Sequence, residues 1–274
     1  MSDKPRFASI LVGLDGGPGA ASRVGLAARI AQRFDARLTG VAGQGIPISL
    51  YAGGWDGGYT EIAAAERSAI RRNLAAARQT FQGAAPSSAT WLEGERDPTD
   101  LMVHHASLAD LIVLARRGSD DAYAGPLSID PGSVALRAGR PLLMVPPNDE
   151  RDSASNVLVA WNDSRESRRA LSDALPFLAG AQHVFVLGIG QGAVGESLSQ
   201  ACTYLSRRGI EAHARHVPEG DISIAQEIFA RLETMEINLL VAGAFGHSRL
   251  REWVFGGVTW SLLEKTPCPC LLSH

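Results

Sequence analysis

The residues most able to do chemistry lie between positions 239 and 259. The apolar run Leu239-Leu240-Val241-Ala242 leads into Gly243-Ala244-Phe245-Gly246, nine residues intervene, and Gly256-Gly257 precedes a helix-compatible segment from Val258 to Glu264. Glycines allow backbone N–H groups to approach an anion closely. A helix start adds unpaired N–H donors and a partial positive charge. The expected chemistry is therefore phosphate binding, with Gly243, Gly246, Gly256, Gly257 and the N–H of Val258 as contacts. His247, Ser248, Arg249 and Arg251 add side-chain donors between the glycines. Gly-x-x-Gly is common, so the alternative is a tight turn and a helix start without a ligand, with solvated loop charges.

Nothing in the sequence assembles a catalytic centre. The seven histidines are scattered. His213 and His216 flank Arg215 on an expected strand, but a metal would require a third ligand, so they read as a polar strand face. Gly-x-Ser-x-Gly is absent, and so is a Gly-Lys-Ser/Thr phosphate loop. Asp15-Gly-Gly-Pro-Gly-Ala-Ala-Ser22 lacks the leading Ser and inner Asp of the Ser-Gly-Gly-x-Asp-Ser loop found in pyrophosphate-releasing enzymes. With no identifiable general base, binding is the expected activity, accompanied at most by slow hydrolysis of the bound phosphate ligand. Three cysteines in 274 residues do not form a disulfide framework, and Cys268-Pro-Cys270 reads as structural. The net charge of −3 gives no bias toward nucleic acid or an anionic membrane. No run is long enough to span a bilayer. The first residues lack the apolar region and cleavage site of a signal peptide, so the cytoplasm is the expected location.

Positioning these residues requires strands and helices that recur twice. Ser9-Ile-Leu-Val-Gly-Leu-Asp15 matches Asn156-Val-Leu-Val-Ala-Trp-Asn162. Helix-periodic segments follow, Ala20 to Phe34 and Arg165 to Leu178. Second strands come next, Arg37–Val41 and His183–Leu187. Later, Asp110–Gly118 matches Asn238–Gly246, Gly132-Ser133 matches Gly256-Gly257, and Arg140–Val145 matches Cys268–Ser273. The period exceeds a hundred residues, so a whole domain is duplicated rather than a short repeat. Pro146–Ser155 is polar and proline-initiated, a linker that divides residues 1–147 from 154–274. Strand and helix alternate in each half, which predicts two tandem doubly wound α/β domains, each with a five-stranded parallel sheet. Ligands of such sheets sit beyond the strands' C-terminal ends, at the switch in strand order. Asp15 and Asn162, after the first strand of each half, would converge there with the loops after the fourth. The Val41–Glu61 segment is a glycine-rich insertion carrying Tyr51, Trp55 and Tyr59. It reads as a surface excursion or a lid.

In this arrangement the chain resembles tandem universal stress proteins over essentially its whole length, apart from that insertion. The family pattern places an Asp at the end of the first strand. After a buried fourth strand come Gly-x-x-Gly, nine residues, and Gly with Ser or Thr. The resemblance implies a Rossmann-like fold that binds adenine nucleotides, with the halves related by a pseudo-two-fold axis. It implies ATP, with or without magnesium, or another adenine nucleotide as ligand, and a sensor role in stress response with an unknown protein partner. It also implies that Val41 and Leu187 line the adenine pocket. The halves depart from the pattern differently. The second keeps Gly243, Gly246 and Gly256, but carries Gly257 for the Ser or Thr and Asn162 for the Asp, with Asp163 as a neighbouring substitute. The first keeps Asp15 and Gly132-Ser133, but Ala115 replaces the first glycine and thirteen residues separate Gly118 from Gly132. The second half is therefore the expected nucleotide binder. The other reading is a tandem scaffold that has lost nucleotide affinity and works through protein contacts. In the family the last strand pairs across a two-fold axis. Leu142–Val145 and Leu271–Ser273 would satisfy that pairing within one chain, making an intramolecular pseudo-dimer, with a homodimer left open.

Overall fold

The computed structural model describes residues 5–46, 59–117, 125–147, 149, 154–190, 194–246 and 257–274, with backbone alone at 59–61 and 194. The first half contains β1 (Ser9–Gly13), α1 (Ala20–Phe34), β2 (Arg37–Gly43), α2 (Tyr59–Ala84), β3 (Thr90–Gly94), α3 (Pro98–His105), β4 (Leu111–Ala115), α4 (Pro131–Arg137) and β5 (Leu142–Val145). The second contains β6 (Asn156–Ala160), α5 (Arg165–Asp173), α6 (Leu175–Leu178), β7 (His183–Ile189), α7 (Val194–Ser206), β8 (His213–Val217), α8 (Ile224–Thr234), β9 (Leu239–Gly243), α9 (Val258–Lys265) and β10 (Cys270–Ser273). Among the described residues no helix is long and apolar enough to cross a membrane.

The ten strands form one sheet in the order β3-β2-β1-β4-β5-β10-β9-β6-β7-β8. Pairing is parallel within each half, and the order reverses at β1/β4 and again at β6/β9. Those are the switch points. The halves join where β5 and β10 run antiparallel, with Leu143 opposite Leu271. The last strands thus pair inside one chain, as the sequence predicts. β4 and β9 carry near-continuous apolar runs because helices cover both faces of the sheet. Leu143, Leu271, Val113 and Val241 belong to a single buried cluster that runs through both halves.

Most helix and strand positions follow the periodicity. α1 spans Ala20–Phe34 as expected, and the strand carrying His213 and His216 has all its side chains exposed except Val217. The helix predicted from Arg165 to Leu178 is instead two helices separated at Ala174. Pro176 lacks an N–H and cannot continue the ladder from the preceding turn. Residues 47–58, the core of the insertion, lie outside the described residues, and β2 runs two residues further than predicted, to Gly43.

The helix starts differ in what satisfies them. α8 opens on a capping box between Ser223 and Gln226. α4 is capped by Asp130, whose carboxylate accepts from Ser133 N (3.0 Å) and from the Ser133 hydroxyl, while Arg117 Nη1 stands 3.0 Å from its other oxygen. Burial works to raise the Asp130 carboxyl, but these donors outweigh it and leave it below the ordinary carboxylate value. α9 begins at Gly257 with no side-chain cap.

Two outcomes follow. Asp130→Ala should lower stability at neutral pH by about 1 kcal/mol, the usual loss for a removed N-cap. The depressed carboxyl makes this stabilisation present above the unfolded-state value and lost as pH falls through the folded one, so wild type and variant should converge in acid, below the ordinary carboxylate range. Urea titrations at several pH values measure this, and a difference that persists in acid would contradict it. Leu271→Ala should cost about 2–5 kcal/mol, since Leu271 is fully buried at the β5/β10 join. A loss under about 1 kcal/mol would mean the join is not packed as described.

Candidate functional site

In the second half, the turn after β6 and the loop after β9 face each other across the switch point. Asn162 ends the extension of β6, and its Oδ1 accepts from Ser164 N at 3.2 Å. Asp163 sits at φ 58°, where the first half has Gly16 at φ 75°. The Asp163 carboxylate turns outward to Arg168 Nε at 2.8 Å and does not line the site, so it does not replace the charge that Asn162 lacks. Ser164 then caps α5 by accepting from Ser167 N at 3.2 Å.

The first turn of α5 lies directly against the Gly243–Gly246 segment. A Cβ on Gly243 would stand 2.6 Å from Ser167 N and 2.8 Å from Glu166 Cβ. One on Gly246 would stand 2.8 Å from Glu166 Oε2. Gly243 is therefore required by helix packing, independently of any ligand, whereas the neighbour of Gly246 is the tip of a flexible carboxylate that can swing aside. Between them, Phe245 holds φ 58°, which costs a side-chain residue about 1–2 kcal/mol. Its N–H donates to Thr259 Oγ1 at 3.0 Å, which ties the loop to the first turn of α9. The Phe245 ring crosses to the first half, 3.7 Å from where a Cβ on Gly132 would be.

These elements enclose a cavity of about 710 Å³, within the roughly 300–1,000 Å³ typical of small-molecule sites. It brings together Asn162, Leu187, Gly243, Gly246, Gly257 and Val258 from the sequence-predicted set. His247, Arg249 and Gly256 lie outside the described residues. One end of the cavity is polar, formed by Asn162, Ser164, Gly246 and the uncapped start of α9. The other, on the side of β7 and α8, is largely apolar, formed by Leu187, Ile189, Ile224 and Ile228, with Glu219 also on its lining. Trp161, whose backbone N–H donates to Leu187 O at 2.8 Å, closes one wall.

Sequence reasoning missed Trp161, Thr259 and above all Glu166. Glu166 is buried at the edge of Gly246 and accepts from Arg165 Nε at 3.0 Å. Burial works to raise its carboxyl, but its own backbone N–H, Arg165 and Ser164 outweigh that and hold it below the ordinary value. An ionised carboxylate therefore borders the loop expected to take phosphate. The signal for it was the Ser164-x-x-Ser167 cap, which puts Glu166 in the first turn of a helix that starts at the site.

The first half fills the equivalent positions with its own side chains. Arg23 is buried, and its guanidinium donates to Asp15 Oδ1 at 2.8 Å and to Gly13 O at 3.1 and 3.3 Å. The same Asp15 oxygen accepts from Gly17 N at 3.0 Å. At the other end, Ser133 donates to Asp130, as described above, and so does not face a ligand. The cavity at the β1 turn is about 150 Å³, and Asp15, Val41, Gly132 and Ser133 do not line it. Val41 is fully buried, and its carbonyl accepts from Leu14 N at 2.9 Å. Gly118 lies outside the described residues.

Comparison with known proteins agrees with this geometry. A model of the universal stress protein family matches residues 6–146 and 191–274. Universal stress protein Slr1230 of Synechocystis is 27% identical over 209 residues, covering 72% of this chain and 69% of that protein. Among solved structures, a universal stress protein from Archaeoglobus fulgidus superposes with a TM-score of 0.66 at 13% identity, over 97% of this chain and 98% of that one. A functionally unknown protein from Pseudomonas aeruginosa PAO1 gives 0.53 at 16% identity, over 97% and 92%. Both structures share the tandem fold along nearly its full length. The chain belongs to the universal stress protein family, with two domains of that family in tandem.

Proposed function

We propose that the second half binds one adenine nucleotide, ATP as its magnesium complex by preference, and that the occupied state acts as a signal in a stress response through a protein partner. The observation that carries this reading is the two-ended cavity. Its apolar end, at Leu187, Ile189, Ile224 and Ile228, suits a base. Its polar end offers the Asn162 amide to a ribose hydroxyl and, to phosphate, the first N–H groups of α9, which no side chain among the described residues caps.

The magnesium preference follows from Glu166. A bare triphosphate beside an ionised carboxylate is repelled, and a divalent cation between them removes the repulsion. Among the described residues no cluster of three His, Cys, Asp or Glu side chains could hold a metal alone. The ion would arrive on the nucleotide, with Glu166 as a neighbouring carboxylate. The first half is proposed to stay empty, because Arg23 already engages Asp15 and Asp130 already engages the start of α4.

Calorimetric titration of ligand-stripped protein with ATP and magnesium should give one nucleotide per chain. Omitting magnesium should weaken binding by about tenfold or more, a difference of about 1.4 kcal/mol. Gly246→Val should abolish binding with folding retained, because the added side chain drives the Glu166 carboxylate into the cavity. Two nucleotides per chain would overturn the one-site reading. No binding at millimolar ATP would leave the tandem scaffold as the function.

A further inference from the structure

Beyond the nucleotide cavity, a second groove of about 520 Å³ opens between α8 and strands β7 and β8. Its floor is Phe185, Leu187, Val217 and Met235, and Arg215 and Arg231 stand at its rim. Leu187 also lines the nucleotide cavity, so the two spaces share a wall. The inward face of α8 steps along both, with Ile224 and Ile228 on one and Arg231 on the other; Met235, just past its end, continues the line.

The first half explains why this groove exists. Leu14 N donates to Val41 O as Trp161 N donates to Leu187 O, which makes Val41 and Leu187 equivalent. The strand registers then pair Gly43 with Gly94 in the first half, and Ile189 with Val217 in the second. On the glycine pair, α3 sits directly on the sheet. A Cβ on Gly43 would be 3.0 Å from Pro98 Cα, and one on Gly94 would be 3.5 Å from Leu101 Cδ1. Branched side chains at Ile189 and Val217 prevent α8 from approaching as closely. The same registers set Leu92 opposite Val41, but Arg215 opposite Leu187. At this position the closed half carries a leucine and the open half a cation.

That cation is not consumed by the fold. Arg231 is held by Glu227 at 2.7 Å. The Arg215 guanidinium lies 5.5 Å above the Phe185 ring, and its one hydrogen bond among the described residues is a long one, 3.4 Å to Ala214 O. No carboxylate pairs with it among those residues. A guanidinium over an aromatic face keeps its edge donors free, in the fork that matches a carboxylate. Next to it are an aromatic ring and Met235, a flexible thioether that adapts to flat apolar ligands.

We propose that this groove is a second ligand site, which takes a small aromatic carboxylate with its ring on Phe185, Leu187 and Met235 and its carboxylate on Arg215. It does not depend on nucleotide binding, and the test is run without nucleotide. The probe is 2-naphthoate, titrated into the full chain by calorimetry. One saturable site at sub-millimolar affinity is expected. Arg215→Gln should weaken it by about tenfold or more, on the scale of a lost charge-assisted hydrogen bond. Met235→Trp should abolish it by filling the groove, and Gly246→Val should leave it unchanged. Circular dichroism checks that each variant folds. The proposal is overturned if naphthoate fails to saturate at roughly millimolar concentrations. It is equally overturned if binding ignores Arg215→Gln and Met235→Trp, or if it is lost in Gly246→Val, which would place the probe in the nucleotide cavity.

Discussion

The antiparallel ladder between β5 and β10 is the constraint on which the rest depends. A five-stranded half ending at an unpaired last strand would expose a row of N–H and C=O groups between hydrophobic faces. Pairing Leu142–Met144 with Cys270–Leu272 closes both edges at once. It also reverses strand direction midway across the sheet, so the C-terminal edges of the two halves point opposite ways. Loops then grip across the join. Arg116 Nη1 donates to Thr266 O at 2.8 Å, and Arg117 N donates to Leu263 O at 3.2 Å. The Phe245 ring reaches Gly132 in the same region. The candidate phosphate loop of one half is thus packed against the other half. This packing accounts for a phenylalanine held at positive φ where glycine would be unstrained.

Once the halves are locked together, each can satisfy its ligand-facing groups in a different way. A half-buried Asp at the end of β1 needs a partner, and so does the start of a helix at the switch point. The first half answers both internally, with Arg23 on Asp15 and Asp130 on Ser133. The second half answers neither. Asn162 carries no charge that demands a counter-ion, and Gly257 brings no side chain to the start of α9. One half is electrostatically closed and smaller in its cavity. The other is open, with Glu166 as the one buried charge at its edge among the described residues. The same reasoning extends to the groove beside β8, where Ile189 and Val217 hold α8 away from the sheet that Gly43 and Gly94 allow α3 to touch.

The β5/β10 pairing followed from the family resemblance, while the duplication and the doubly wound alternation were legible in the sequence, because apolar periodicity and repeated motifs fix which segments are strands and which are equivalent. Asn162, Gly246 and Gly257 could be assigned to one edge for the same reason. What was not legible depends on side-chain geometry across distant segments. Nothing local marks Arg23 as the partner of Asp15, since an arginine in the first turn of a helical stretch, eight residues after Asp15, normally reads as solvated. Thr259 stood out of register with the family hydroxyl, and only the fold shows that it holds the Phe245 N–H. The split at Ala174 was readable from Pro176, but the amphipathic pattern on either side concealed it.

The glycines pose a subtler problem of inference. Gly243 and Gly246 drew attention because glycine allows close approach to phosphate, yet Gly243 is already required by the backbone of the first turn of α5. A half could lose its ligand entirely and still need Gly243 to fold. Glycine spacing in such a sequence therefore reports the switch-point architecture first and ligand binding second. The features that discriminate are those the fold does not need. An uncapped α9 is one, since α4 and α8 show that a side-chain cap is available in this chain and more stabilising. A cavity that joins an apolar slot to that helix start is the other. The second half keeps both, whereas α4, the helix of the first half equivalent to α9, is capped by Asp130, and that asymmetry favours a binding site over a relic turn.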